Sequence, residues 1–154
     1  MSDLKNKDLL QEEQLQTQDV KKIDQKTKDL LMGTQAENDM LPILNKKWKS
    51  HLIKSEGKYF EFDFESKSRL VELKSRTCES STYPTTMVGV NKVSFASKQN
   101  KKVYFVFEFT DCIKYIKYDK LVFDTFEIKS FGRNRGFDET KLYYYIPVQN
   151  LRNF

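Results

Sequence analysis

Residues 58–76 read KYFEFDFESKSRLVELKSR, and this stretch decides the fold. Phe60, Phe62 and Phe64 alternate with Tyr59, Glu61, Asp63 and Glu65. After the polar link Ser66-Lys67-Ser68, Val71 and Leu73 alternate with Leu70, Glu72 and Lys74. A period of two marks a strand with one face buried, and a short polar link between two such runs predicts an antiparallel hairpin. With the phenylalanine face and Val71/Leu73 turned to one core, Asp63, Glu72 and Lys74 are expected together on the opposite, solvated face. Two carboxylates there supply hard oxygen ligands suited to Mg²⁺ or Mn²⁺. A lysine beside them can hold a phosphate oxygen or orient a water, which completes the parts for metal-assisted phosphodiester cleavage. The same charges also fit a plain solvated sheet face with cross-strand ion pairs.

Asp63, followed nine residues later by Glu72-Leu73-Lys74, resembles the D…(D/E)-x-K signature of the PD-(D/E)XK nuclease superfamily. Phe62 stands where that signature often carries proline. ELKSR (72–76), YPTTM (83–87) and NKVSFA (91–96) also resemble segments of small uncharacterised proteins of large DNA viruses placed in that superfamily. This closer likeness spans about residues 35–154. The resemblance implies a restriction-endonuclease-like core, with the metal held by Asp63, Glu72 and the Leu73 backbone carbonyl, and with Lys74 in a catalytic role. It matches Glu37 to a glutamate that reaches the metal from the helix before the hairpin, and Lys92 to a basic residue facing the phosphate.

A chain of 154 residues suits one domain with a real core. Twelve Phe and eight Tyr in a chain only 38% hydrophobic predict an aromatic-rich interior. A net charge of +5 and a pI near 9.0 favour an acidic partner such as nucleic acid. The opening MSDLKNKD lacks the apolar region of a secretory leader. No run approaches the roughly 20 apolar residues of a membrane span, so a soluble intracellular protein, in cytoplasm or nucleus, is expected and no membrane partner. Cys78 and Cys112 lack metal-ligand spacing and read as unpaired thiols. A single histidine, His51, disfavours a Ser-His or Cys-His mechanism and a zinc site.

Along the chain, residues 1–33 lack aromatics and read as a polar extension. Val20, Ile23, Thr27, Leu30 and Leu31 place a helix at about 18–32 that Gly33 ends, and that helix can dock a second copy or a partner protein. Residues 34–53 predict the first domain helix, with Thr34 and Glu37 as a capping box and Leu41, Leu44, Trp48 and Leu52 as its apolar stripe. Glu37 thus has two readings, cap or metal-site carboxylate. Residues 86–98 predict a helix with Lys92 toward the phosphate or simply at the surface; Tyr83, in the loop before it, is a site hydroxyl or a loop anchor. KVYFVFEFT (102–110) is apolar on both faces and predicts a central strand, parallel to the Glu72 strand across a helical crossover. CIKYIKYD (112–119) predicts its antiparallel neighbour, and residues 143–146 a last strand. Arg133 and Arg135, between Gly132 and Gly136, form a loop suited to phosphate contact or to solvent.

The sequence therefore predicts an α/β (α+β) domain over residues 34–154, a mixed central sheet flanked by helices in the order α-β-β-α-β-β, behind a helical extension over 1–33. The expected function is a Mg²⁺- or Mn²⁺-dependent nuclease acting on DNA. Asp63, Glu72, Lys74 and Glu37 are its candidate catalytic residues, and Arg76, Lys92, Arg133, Arg135 and Tyr83 its nucleic-acid contacts. The alternative is a non-catalytic nucleic-acid-binding or assembly protein that keeps the fold.

Overall fold

The computed structural model describes residues 24–131 and 141–154. Its elements run α1 (Asp24–Trp48), β1 (Ile53–Lys54), β2 (Phe64–Glu65), β3 (Arg69–Ser75), β4 (Thr85–Gly89) and α2 (Val90–Ser97). Then come β5 (Lys102–Glu108), β6 (Ile113–Lys117), α3 (Lys120–Phe123), β7 (Glu127–Phe131), β8 (Lys141–Pro147) and β9 (Arg152–Asn153). The strands form a mixed six-stranded sheet in the order β1-β2-β3-β5-β6-β9 and a three-stranded sheet in the order β4-β8-β7. The class is mixed α/β, as expected. Among the described residues no helix is long and apolar enough to cross a membrane.

The chain divides into two compact units, residues 1–39 and 40–154. In the described part of the first, Leu30, Leu31 and Met32 are exposed and Thr34 Oγ1 donates to the Leu30 carbonyl at 3.0 Å. Two expectations fail here. Gly33 does not end a helix, and Thr34 with Glu37 is not a capping box, because both lie inside the continuous α1. A glycine costs a helix only about 1 kcal/mol, and an ideal Cβ at Gly33 would meet nothing within 4 Å. The turn-like composition around Gly33 was therefore a weak stop signal.

In the second unit α1 ends at Trp48, where Lys49 takes a positive φ of 50°. This left-handed residue closes the helix, and Ser50 N–H donates back to the Asn45 carbonyl at 3.1 Å. The Asn45 side chain then bridges Leu52 on both sides, accepting from its N–H at 2.7 Å and donating to its carbonyl at 3.0 Å. Leu52 is buried, as its place in the apolar stripe predicts, although the helix stops before it. Met40 and Leu44 are the fully buried members of the helix.

The hairpin forms with a shorter first arm than expected. Residues 57–59 make a single 3₁₀ turn and only Phe64–Glu65 joins the sheet, with Phe64 opposite Val71 and Glu65 opposite Leu70. Phe60 is consequently 69% exposed, while Phe62 and Phe64 are buried. β3 pairs in parallel with β5 in the register Leu70–Val103, Glu72–Phe105 and Lys74–Phe107, and β5 pairs antiparallel with β6, both as predicted. β5 is covered on both faces. Leu70, Val103, Phe105 and Phe107 belong to one large cluster with Val88, Val93, Ala96, Phe123 and Ile146. On the other face Trp48 lies 5.0 Å from the Tyr104 ring and 5.7 Å from that of Tyr115.

This layering corrects the face assignment. Glu72 and Lys74 alternate with Val71 and Leu73 but share parity with Leu70, which is fully buried in the larger cluster. Glu72 therefore points into an occupied layer and is only 3% exposed. Phe62 joins that same cluster, whereas Phe64 faces as Val71 does.

Residues 85–89 are a strand rather than the start of a helix. Thr85, Thr86 and Val88 are β-branched and favour the extended chain, and β4 pairs antiparallel with β8, Thr86 opposite Ile146 and Val88 opposite Tyr144. Only the last part of the expected helix, Val90–Ser97, is helical, with Val93 and Ala96 buried. β7 and β9 had no counterpart in the sequence-based order. β9 adds to the sheet edge through Lys114–Asn153 and Tyr115–Arg152.

Candidate active site

The site is built from four neighbouring pieces of the second unit. β3 supplies Glu72, Leu73, Lys74 and, just past its end, Arg76. The bend before β2 supplies Asp63 and the Glu61 carbonyl, α2 supplies Lys92, and β4 supplies Thr86 and Met87.

Glu72 is the centre. Lys74 Nζ stands 3.1 Å from Glu72 Oε1, and Lys92 Nζ stands 3.6 Å from Oε2. Lys92 Nζ also donates to the Glu61 carbonyl, so the helix is tied both to the acid and to the bend that holds Asp63. Asp63 Oδ2 accepts the Leu73 N–H at 2.6 Å, and Asp63 N–H donates to the Val71 carbonyl at 2.9 Å. These two bonds fix Asp63 beside β3 from both its backbone and its side chain.

Burial raises the Glu72 carboxyl above its ordinary value, and the Asp63 charge raises it further; Lys74 and Lys92 oppose the rise. Among the described residues Glu72 Oε2 is buried and makes no hydrogen bond. A buried oxygen of this kind is costly unless something satisfies it. Among the described residues no group of three or more His, Cys, Asp or Glu is gathered to hold a metal. The oxygen donors that do come together are the Asp63 and Glu72 carboxylates, with the Leu73 backbone between Glu72 and Lys74. Two carboxylates that raise one another's protonation, one with an unbonded buried oxygen, are a donor set that fits a hard divalent cation.

The raised carboxyl has a measurable consequence. A group that binds its proton more tightly when folded stabilises the fold at pH below its ordinary range, and that contribution is lost as pH rises through the raised folded value. Stability in the absence of divalent metal should therefore decline from about pH 4.5 upward across that window, through Glu72. Mg²⁺ should reverse the trend, because the cation and the proton compete for the same oxygens. At 100 times its Kd the cation adds about 2.7 kcal/mol. Thermal melts across pH, with Mg²⁺ and with a chelator, measure both effects. A Mg²⁺ increment that does not grow with pH would remove Glu72 from the binding set.

Arg76 lies on the same side as Lys74. Its Nε donates to Thr86 Oγ1 at 3.3 Å and its Nη2 to the Met87 carbonyl at 2.5 Å, with the guanidinium 5.8 Å from the Phe107 ring centre. Lys74, Arg76, Met87, Gly89, Lys141 and Tyr143 line one cavity, together with Phe131. Tyr83 is 63% exposed and lines a different, mostly apolar cavity that Arg76 also borders.

The structure thus brings together Asp63, Glu72, Leu73, Lys74 and Lys92, with Arg76 at the margin. Lys92 grips the carboxylate and the Glu61 carbonyl rather than extending from the surface as a bare phosphate contact. Glu37 lies mid-helix in the first unit, while the site is built from the second. Arg133 and Arg135 lie outside the described residues. Lys141 and Tyr143 escaped the sequence reading because LYYYIPV shows only a strand, and nothing local says that its first residues reach β3.

No protein-family model matches the chain, and no curated protein matches it.

Proposed function

We propose that this chain is a metal-dependent nuclease of the PD-(D/E)XK type that hydrolyses phosphodiester bonds, with DNA as the expected polymer. The observation that carries the reading is Glu72, a buried carboxylate with one unbonded oxygen, set between two lysines and beside a second carboxylate. Leaving a charge so placed costs stability, and a cation bound by it offsets that cost. The helix–hairpin–helix–strand order and the parallel β3–β5 pair support a restriction-endonuclease-like core.

In this reading Asp63, Glu72 and the Leu73 carbonyl hold Mg²⁺ or Mn²⁺. Such a cation, when bound, polarises the phosphoryl oxygen and makes water a better nucleophile at neutral pH. Lys74, 31% exposed and within reach of Glu72, orients the attacking water and counters negative charge growing on the phosphate. Lys92 holds the Glu72 carboxylate and the Asp63 bend in register. Arg76, fixed by Thr86 and Met87, presents a positive charge to the polymer backbone, where contacts position the substrate without reading sequence.

A second reading draws on the same ion cluster. Lys74 and Lys92 could serve only to neutralise a buried carboxylate in a non-catalytic nucleic-acid-binding or assembly protein. One experiment separates the two: incubation of the full chain with supercoiled, linear and branched DNA, with Mg²⁺, with Mn²⁺ and with chelator. Metal-dependent cleavage is expected. No cleavage, together with no metal-dependent shift in melting temperature, would leave the scaffold reading standing.

A further inference from the structure

We infer that Lys141 and Tyr143, at the start of β8, form with Arg76 a phosphate-binding subsite that takes the phosphoryl group next to the scissile one. The assignment rests on the nuclease reading for its position in the reaction, but its chemistry is separate. Lys74, Arg76 and Lys141 bring three cationic side chains to one cavity, and no carboxylate lines it. Tyr143 adds a phenol that can donate to a phosphate oxygen. Three cations without an acid among the lining residues make a poor structural device, since like charges repel, but they match a phosphate with one or two negative charges.

The cavity is held by backbone pairing rather than by loose loops. Tyr143 is fixed opposite Gly89, and its strand neighbour Tyr144 opposite Val88. Arg76 is pinned to Thr86 and Met87 on that same β4 strand. The end of β3, all of β4 and the start of β8 therefore move as one block. Gly89 adds no side chain to the wall. Lys141 is exposed and partly free to swing, as suits a lysine that closes on a ligand as a mobile point charge. Lys74 belongs to both places: it pairs with Glu72 at 3.1 Å and lines this cavity. A phosphate held there thus lies next to the group proposed to act on the scissile phosphate, and orienting the polymer this way lowers the entropy cost of reaction.

The phosphoryl group has two possible sources, an internal diester of the chain or a terminal monoester. Binding of short fluorescent duplexes bearing a 5′-phosphate or a 5′-hydroxyl, and of a closed circular duplex as competitor, tells them apart. Ca²⁺ replaces Mg²⁺ so that affinity is read apart from turnover. Lys141→Ala should weaken binding about tenfold and reduce the slope of log Kd against log salt by about 1, because one phosphate contact is lost. Lys141→Arg should retain the slope. Tyr143→Phe should weaken binding about threefold to tenfold with an unchanged slope, since a neutral donor is removed. A loss confined to the 5′-phosphate duplex assigns a terminal monoester; an equal loss on all three substrates assigns an internal diester. Both support the subsite. Wild-type affinity and slope in Lys141→Ala would overturn it, even if the wild type cleaves DNA. If the wild type binds but never cleaves, and Lys141→Ala weakens that binding, the subsite stands and the nuclease reading falls. A wild type that neither binds nor cleaves overturns both.

Discussion

Glu72→Gln should abolish metal-dependent cleavage, lowering kcat on the order of 10³-fold or more, while leaving a folded protein. The amide keeps the shape of the buried side chain but cannot serve as an anionic ligand. It also removes the charge that holds Lys74 at 3.1 Å and Lys92 at 3.6 Å. The effect on folding is a difference of two opposed terms. The burial cost of a 3%-exposed carboxylate disappears, and so does its attraction to two ammonium groups. These should cancel to within about 1–2 kcal/mol, so the variant should melt near the wild type in chelator. Mg²⁺ should no longer raise its melting temperature. Melts with and without Mg²⁺, run beside the cleavage assay, check both halves. A Glu72→Gln enzyme that still cleaves, or that Mg²⁺ still stabilises, would show that the buried carboxylate has only a structural part.

Lys74→Ala should cut the rate of the chemical step about 10²- to 10⁴-fold, the range for a positioned proton-transfer or charge-stabilising group. Lys74 is 31% exposed on its side chain, and its aliphatic stem fills no core position, so the fold should persist. Its charge matters most where negative charge grows, in the transition state, so kcat should fall far more than affinity. Lys92 remains beside Glu72 in this variant, and the carboxyl should lose one of the two charges that oppose its raised proton affinity. The pH at which cleavage turns on should therefore move upward as well. Single-turnover rates across pH, with DNA binding measured in Ca²⁺, separate the two effects. Wild-type cleavage by Lys74→Ala would sink the D…E-x-K reading outright.

The long central strands were legible in the sequence because their signals are local and redundant. KVYFVFEF is apolar at every position but one, and only a strand covered on both faces explains that. The parallel pairing of β3 with β5 followed from the intervening helical segment. The elements that were missed depend on distant partners. β4 reads as a helix start until β8, more than fifty residues on, is seen to pair with it. β9 is two residues long and exists only because β6 offers an edge. At Gly33 the local signal was real but weak, and the flanking helix-forming residues outweighed it.

The candidate site divides in the same way. By itself the sequence determined the chemical inventory: two carboxylates and a lysine at spacings that a hairpin can bring together, in a basic, aromatic-rich chain. It also determined that Glu72 and Lys74 share one side of a strand, because alternation follows from backbone geometry alone. Only the tertiary structure decided which side. Periodicity reports that two faces of a strand differ, and it is silent about what packs on each. Here α2, β4 and β8 cover the side that bears Leu70, Glu72 and Lys74, while Trp48 of α1 covers the other. That covering turns an ordinary surface glutamate into a buried carboxylate with a raised proton affinity. It also brings in Lys92, Arg76, Lys141 and Tyr143, residues that no local spacing could have assigned to one place.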